Sequence, residues 1–247
     1  MDFTRDAFLD GQLHVNQPSD GYRAATDPVY LAASIPAKTG QSVLDVGCGV
    51  GTASLCLNAR VPGLDLAGVE VQADYAQLAR DNAKANEATL DVVAADLQNL
   101  PDAMRQRSFD HVMTNPPFFD GQSMSPPESQ GKAVAHVETL DLQSWISLSL
   151  KRLAPKGSFS IIHLSERLPD ILTAMNQSCG DIRILPITAR QGRAAKRILV
   201  QGIKTSRAPT QLLSPLVVHD GLKHETDGDD YSQAAKQILR YGQALVL

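Results

Sequence analysis

Asn115-Pro116-Pro117-Phe118 follows an apolar run and joins residue types that can do chemistry together. Two prolines cannot continue a β-ladder. A strand therefore ends here, and the chain turns with fixed φ angles that display the Asn115 side chain and the Pro116 carbonyl as two rigid acceptors. An aromatic amine is a poor nucleophile because its lone pair is delocalised into the ring. Two fixed acceptors on its hydrogens favour the pyramidal, reactive form, and preorganised dipoles of this kind need neither metal nor strong base. Phe118 is then placed to stack on a base extruded from its neighbours. The bland alternative is a proline-terminated strand with Phe118 and Phe119 in the core.

Three further signals lie upstream. Asp45-Val46-Gly47-Cys48-Gly49-Val50-Gly51-Thr52 is a glycine-rich turn between a strand and a helical segment, the setting in which backbone approaches a ligand and helix N–H groups stay free. Alone it marks a nucleotide-binding turn of unspecified type, or a plain tight turn. Glu70, about 25 positions on, closes the next strand, where a carboxylate accepts hydrogen bonds from both ribose hydroxyls of an adenosine; that spacing also suits NAD, and a solvated acid beside a turn remains open. Asp96 closes a third strand behind the small Ala94 and Ala95, which leave room for a flat ring; its alternative is a cap. A dinucleotide fingerprint would carry its third Gly or Ala at Thr52, which weakens an NAD reading.

The elements that position these residues are an alternation of short apolar strands and amphipathic helices from residue 41 onward, the pattern of parallel βαβ units. Strands are expected at 42–46, 66–70, 90–96, 109–115 and 159–163, each of the first four ending near a polar residue. Ligands bind beyond the carboxyl ends of such strands, so neighbouring strands would gather these residues in one cleft. Helical faces are expected around Tyr75 to Ala83, and from Leu142 through Trp145 to Leu153, with Pro155-Lys156-Gly157 ending the second; Trp145 reads as core. The runs 182–185 and 198–203 suggest an antiparallel pair at a sheet edge. Residues 123–132 read as a mobile loop. The 247 residues carry a net charge of -4, three scattered cysteines, no membrane span and no basic, apolar leader. They fit a cytoplasmic globular chain without a metal site.

Taken together, these motifs resemble the class I S-adenosylmethionine-dependent methyltransferases, in the amino-methylating group marked by Asn-Pro-Pro-aromatic. Within that group the chain resembles the bacterial tRNA1(Val) (adenine-37-N6)-methyltransferase family over nearly its whole length. The resemblance implies an α/β, Rossmann-like, seven-stranded, mostly parallel sheet with an antiparallel C-terminal hairpin. Residues 1–40 would form an N-terminal segment covering the cofactor site, and residues 41–247 the methyltransferase domain. It implies S-adenosyl-L-methionine as cofactor, with Asp45, Gly47, Gly49 and Gly51 beside its methionine part, Glu70 at the ribose, Asp96 at the adenine, and Thr26 and Asp27 folding over it. Asn115, Pro116, Pro117 and Phe118 would be the catalytic set, acting on an adenine amine in tRNA next to the anticodon. Many relatives have tyrosine where Phe118 stands; stacking does not need the hydroxyl.

Arg190, Arg193, Lys196, Arg197, Lys204 and Arg207 gather around the final strand pair, and with Arg23 they are candidates to hold RNA phosphates. An ordinary solvated edge explains them as well. A protein glutamine or a DNA adenine would satisfy the same Asn-Pro-Pro chemistry, although no long helical N-terminal domain of the glutamine-modifying kind is present. A non-catalytic nucleic-acid-binding module would have no need of Asn115-Pro116-Pro117-Phe118. His136, Glu138, Asp229 and Asp230 read as surface or turn groups.

Overall fold

The computed structural model describes residues 2–21, 23–117, 140–221 and 230–247. Phe118, His136, Glu138, Asp229 and the expected loop at 123–132 lie outside these residues.

The chain opens with an antiparallel hairpin, β1 (Phe3–Phe8) and β2 (Leu13–Pro18), which the sequence reading did not foresee. Its turn runs through Leu9, Asp10 and Gly11, all with positive φ, and Leu13, Val15 and Gln17 alternate inward from β2. Next comes α1 (Asp27–Ser34), with Pro28 in its first turn and almost every residue buried. The sheet then builds through β3 (Ser42–Val46), α2 (Thr52–Arg60), β4 (Asp65–Glu70), α3 (Ala73–Ala85), β5 (Asp91–Ala94), α4 (Asp102–Gln106) and β6 (Phe109–Thr114). It continues with α5 (Leu142–Lys151), β7 (Leu153–Leu164), α6 (Leu168–Met175), β8 (Cys179–Thr188) and β9 (Arg197–Lys204). The two-residue strands β10 (Gln211–Leu212) and β11 (Leu216–Val217) precede α7 (Gln233–Tyr241).

Seven principal strands lie in the order β5-β4-β3-β6-β7-β9-β8, all parallel except β9, which runs antiparallel to β7 and β8. The seven-stranded mixed sheet expected of the resemblance is therefore present, and β10 and β11 extend it by pairing with β8. Period-two alternation sends Val43 and Leu44 into different apolar clusters. One is completed by α1, α2, α3 and α7, the other by α4, α5 and α6.

Two expected boundaries are wrong. Strand β5 stops at Ala94, so Asp96 stands two residues beyond the strand it was expected to close and caps the following turn. Helix α5 stops at Lys151, and Leu153 already belongs to β7, so Pro155-Lys156-Gly157 interrupts a strand instead of ending a helix. The pairing of β6 with β7 shifts register there, Lys156 takes a φ of 64°, and a Cβ on Gly157 would lie 2.6 Å from the Asp110 carbonyl.

Candidate active site

The four strands that lead into the residues singled out above are adjacent in the sheet, in the order β6-β3-β4-β5, and end in nearly the same row. Val46 pairs with both Val69 and Thr114, and Glu70 pairs with Ala94. Asn115, the Gly47 turn, Glu70 and Asp96 thus share one carboxyl edge. Strand order reverses between β3 and β6, which opens a crevice between the glycine turn and Asn115.

The turn after β3 is held from beneath and from the side. Gly47, Gly49 and Gly51 all have positive φ, and Gly51 caps α2. Glu70 is only 6% exposed, and its Oε2 accepts from Gly49 N at 3.0 Å while Oε1 accepts from Gln72 N at 2.9 Å. Glu70 is therefore no solvated acid. Burial pushes its pKa up, against the pull of those backbone donors. Two of its lone-pair directions are used, which leaves acceptor capacity on both oxygens. Asp45 is buried under the same turn, accepts from Ser54 Oγ at 2.8 Å, and is pushed up by burial to a pKa of about 7. Asp96 Oδ1 caps the short turn 97–99 through Gln98 N at 2.8 Å, so the capping role is real, while its second oxygen is not used in that cap.

At the end of β6, Asn115 is half-buried with its Oδ1 enclosed, Pro116 is buried and Pro117 is exposed. Trp145, expected in the core, is partly buried against the apolar cluster of α4, α5 and α6 and also forms part of this wall. Its Nε1 donates to Thr114 Oγ1 at 2.9 Å, Thr114 Oγ1 donates to the Val46 carbonyl at 2.8 Å, and its ring lies where a Cβ on Gly47 would come within 2.9 Å. Trp145 and Thr114 thereby join the glycine turn to the residue before Asn115. No sequence motif announces this contact.

The N-terminal segment reaches the same edge. Asn82, fully buried on α3, accepts from Asn16 N at 2.9 Å and donates to Asn16 O and to Val50 O inside the glycine turn. Gln17 pairs with both backbone groups of Ala24, leading the chain to Thr26 and Asp27. The Thr26 carbonyl starts α1 by accepting from Val29 N and Tyr30 N, and Asp27 Oδ2 takes Arg197 Nε at 2.9 Å.

The basic candidates separate. Because β9 is antiparallel, residues 189–196 lie at the carboxyl edge, whereas Lys204 and Arg207 lie at the opposite end; the six do not form one cluster. Arg193 and Lys196 are exposed. Arg23 pairs with Asp6 at 2.6 Å, Arg197 with Asp27, and Arg190 with Asp230, which also takes His219 Nδ1 at 2.6 Å. Asp230 is accordingly an ion-pair centre and not a solvated turn residue. The three cysteines are free and buried. No helix among the described residues is long and apolar enough to cross a membrane, and those residues contain no group of three or more candidate metal ligands.

Does this edge fit S-adenosyl-L-methionine? Thr52 Oγ1, at the start of α2, is buried without a hydrogen-bond partner among the described residues, and a Cβ on Gly49 would meet nothing within 4 Å. Buried carboxylates, an unsatisfied hydroxyl and open backbone suit a polar ligand that carries positive charge. The residues fit.

A parallel sheet with one inserted antiparallel strand, and this glycine turn beside Asn115, define a class I methyltransferase. The model of the methyltransferase small domain family matches residues 28–189, and the chain belongs to that family. Among its relatives is the tRNA1(Val) (adenine(37)-N6)-methyltransferase of Porphyromonas gingivalis strain W83, 31% identical over 210 residues, covering 78% of this chain and 79% of the relative. The enzyme of the same name from Shewanella baltica strain OS195 is 28% identical over 243 residues, covering 95% of this chain and 97% of the relative. A solved structure, described as a predicted O-methyltransferase from Agrobacterium tumefaciens, superposes with a TM-score of 0.70 over 90% of this chain and 99% of that one, at 23% identity. That likeness bears on the fold.

Proposed function

We propose that this protein methylates the N6 amino group of an adenine in tRNA, at the nucleotide beside the anticodon, with S-adenosyl-L-methionine as the donor and in the cytoplasm. The observation that carries this reading is the placement of Asn115 and Pro116 at the end of β6, directly across the crevice from the β3 glycine turn. The names of the relatives, at modest identity and high coverage, favour tRNA over other amines.

When bound, the cofactor supplies an electrophilic methyl group on a sulfonium. On the protein side, Glu70 accepts from the ribose hydroxyls, and the second oxygen of Asp96 accepts from the cofactor's adenine amine. Asp45 braces the turn through Ser54, and Gly47, Gly49 and Gly51 leave its backbone open. Residues 1–40 cover this side of the crevice, with Thr26 and Asp27 at its rim. Asn115 Oδ1 and the Pro116 carbonyl accept the two hydrogens of the target amine, turning its lone pair out of conjugation and toward the methyl group. Pro117 fixes that turn, and Phe118 stacks on the extruded adenine. The surplus proton leaves to water. Arg193 and Lys196 hold flanking phosphates at the same edge.

The test is to incubate the protein with radiolabelled cofactor and RNA from a strain lacking its gene, then analyse nucleosides. Label is expected in N6-methyladenosine of the tRNA fraction. No label in RNA, with cofactor binding confirmed, would overturn the substrate and move the reading to a protein glutamine or DNA adenine. Asn115→Ala is expected to keep cofactor affinity within about twofold and to lower turnover by about a hundredfold or more, as loss of a transition-state donor or acceptor does. Equal loss of both would refute the assignment of Asn115.

A further inference from the structure

The edge of the sheet opposite the crevice carries its own concentration of positive charge. There the last turn of α5, the start of β7 and the end of β9 meet, and they contribute Lys151, Arg152, Lys156, Lys204 and, just beyond β9, Arg207. Lys204 Nζ donates to the carbonyls of Leu150 at 2.8 Å and Leu153 at 2.6 Å, which flank Arg152 and cap the end of α5. The guanidinium of Arg152 reaches the Arg105 carbonyl. Lys151, Lys156 and Arg207 are exposed.

Lys204 and Arg207 also line an open hollow of about 480 Å³, whose other walls include Asn176, Ser178, Thr205 and Ser206. Hydroxyls and an amide between two cations are the donors a phosphodiester accepts from. The nearby carboxylates are mostly committed: Asp102 to Arg105, and Asp181 to Arg183 at 3.1 Å, while Asp110 is held by Ser42 at 2.9 Å. In a chain with a net charge of -4, this surplus of cations is a local feature.

We propose that this opposite edge is a second phosphate-binding surface for the RNA substrate, which it engages away from the modified nucleotide. The inference rests on the tRNA reading above. The eight residues of β9, at roughly 3.3 Å each, separate the two edges by about 25 Å. A folded RNA that presents one loop to the crevice can bring another part of its backbone against this edge, as a short strand confined to the crevice cannot. The surface reads no sequence; it fixes the orientation of the RNA and adds affinity.

The test uses Lys151→Gln/Arg207→Gln, two exposed positions outside the crevice, with Lys204 left in place because it caps α5. Thermal unfolding and cofactor affinity should match the parent. The KM for tRNA is expected to rise about tenfold with kcat unchanged, and the slope of log affinity against log salt should shrink by about one to two. Arg207→Lys should behave as the parent. Normal turnover on tRNA with KM and salt slope unaltered in the double variant would overturn the surface and leave the function standing. A parent protein that neither binds nor methylates tRNA would overturn the substrate reading and this surface with it.

Discussion

Gly47→Ala and Gly49→Ala place the same methyl group on the same turn, yet the structure separates their costs. Both positions have positive φ, so each alanine pays roughly 1–2 kcal/mol for left-handed backbone. At Gly49 nothing lies within 4 Å of the added carbon. At Gly47 that carbon would meet Trp145 Cζ2 at 2.9 Å, roughly half an ångström inside ordinary van der Waals contact. The indole cannot swing aside freely, because its Nε1 is bonded to Thr114. Overpacking of this kind costs about 1–3 kcal/mol more. Urea unfolding of the ligand-free protein should therefore give about 1–2 kcal/mol for Gly49→Ala and about 2–5 kcal/mol for Gly47→Ala. In a Trp145→Phe background, where the shorter ring vacates the contact, the excess at Gly47 should disappear. Equal costs for the two alanines, or an excess that survives Trp145→Phe, would refute the account of how this turn is held.

Asp45 makes stability depend on pH. Burial raises its carboxyl from 3.8 to about 7, so between those values the folded chain holds a proton that the unfolded chain has released. Its contribution is fully present below pH 4 and is lost as pH rises to 7; Asp45→Asn should flatten denaturant midpoints across pH 5 to 7, with Glu70, raised in the same direction, leaving a residual slope. Asn82→Ala strips partners from Asn16 N, Asn16 O and Val50 O, and should cost about 3 kcal/mol or more and weaken cofactor binding in calorimetry. Arg193→Ala should raise the KM for tRNA and reduce its salt dependence, whereas Arg197→Ala, which frees Asp27 at the start of α1, should show its larger effect on cofactor affinity.

The strands that carry the site were legible because each is a short apolar run that ends in a polar or glycine-rich break. Ser42 to Val46 was read to the residue, and Glu70 and Asn115 stand at the strand ends where they were placed. Helix α1 escaped because it is buried on nearly all sides and shows no amphipathic period, although Thr26-Asp27-Pro28 carries a start signal. The hairpin escaped despite Asp10-Gly11, a turn dipeptide that was available to be read. Trp145 and the ion pairs of Arg23, Arg190 and Arg197 depend on contacts between segments distant in sequence, which no local pattern encodes. Antiparallel β9 likewise split a set of cations that looked continuous along the chain.

The docking of the hairpin has a consequence for the order of events during synthesis. Strand β2 leaves the ribosome well before its partners Asn82 and Asn86, which follow the residues they bind by 66 and 72 positions. Until α3 has emerged, β2 can pack against α2 but lacks the Asn82 and Asn86 side chains that hold its backbone. One brace of the glycine turn thus ties it, through Asn82, to a segment made before it. A nascent chain halted before residue 82 would carry the whole of that turn with its Glu70 and Asp45 contacts and still lack both the Asn82 link to β2 and the Trp145 wall.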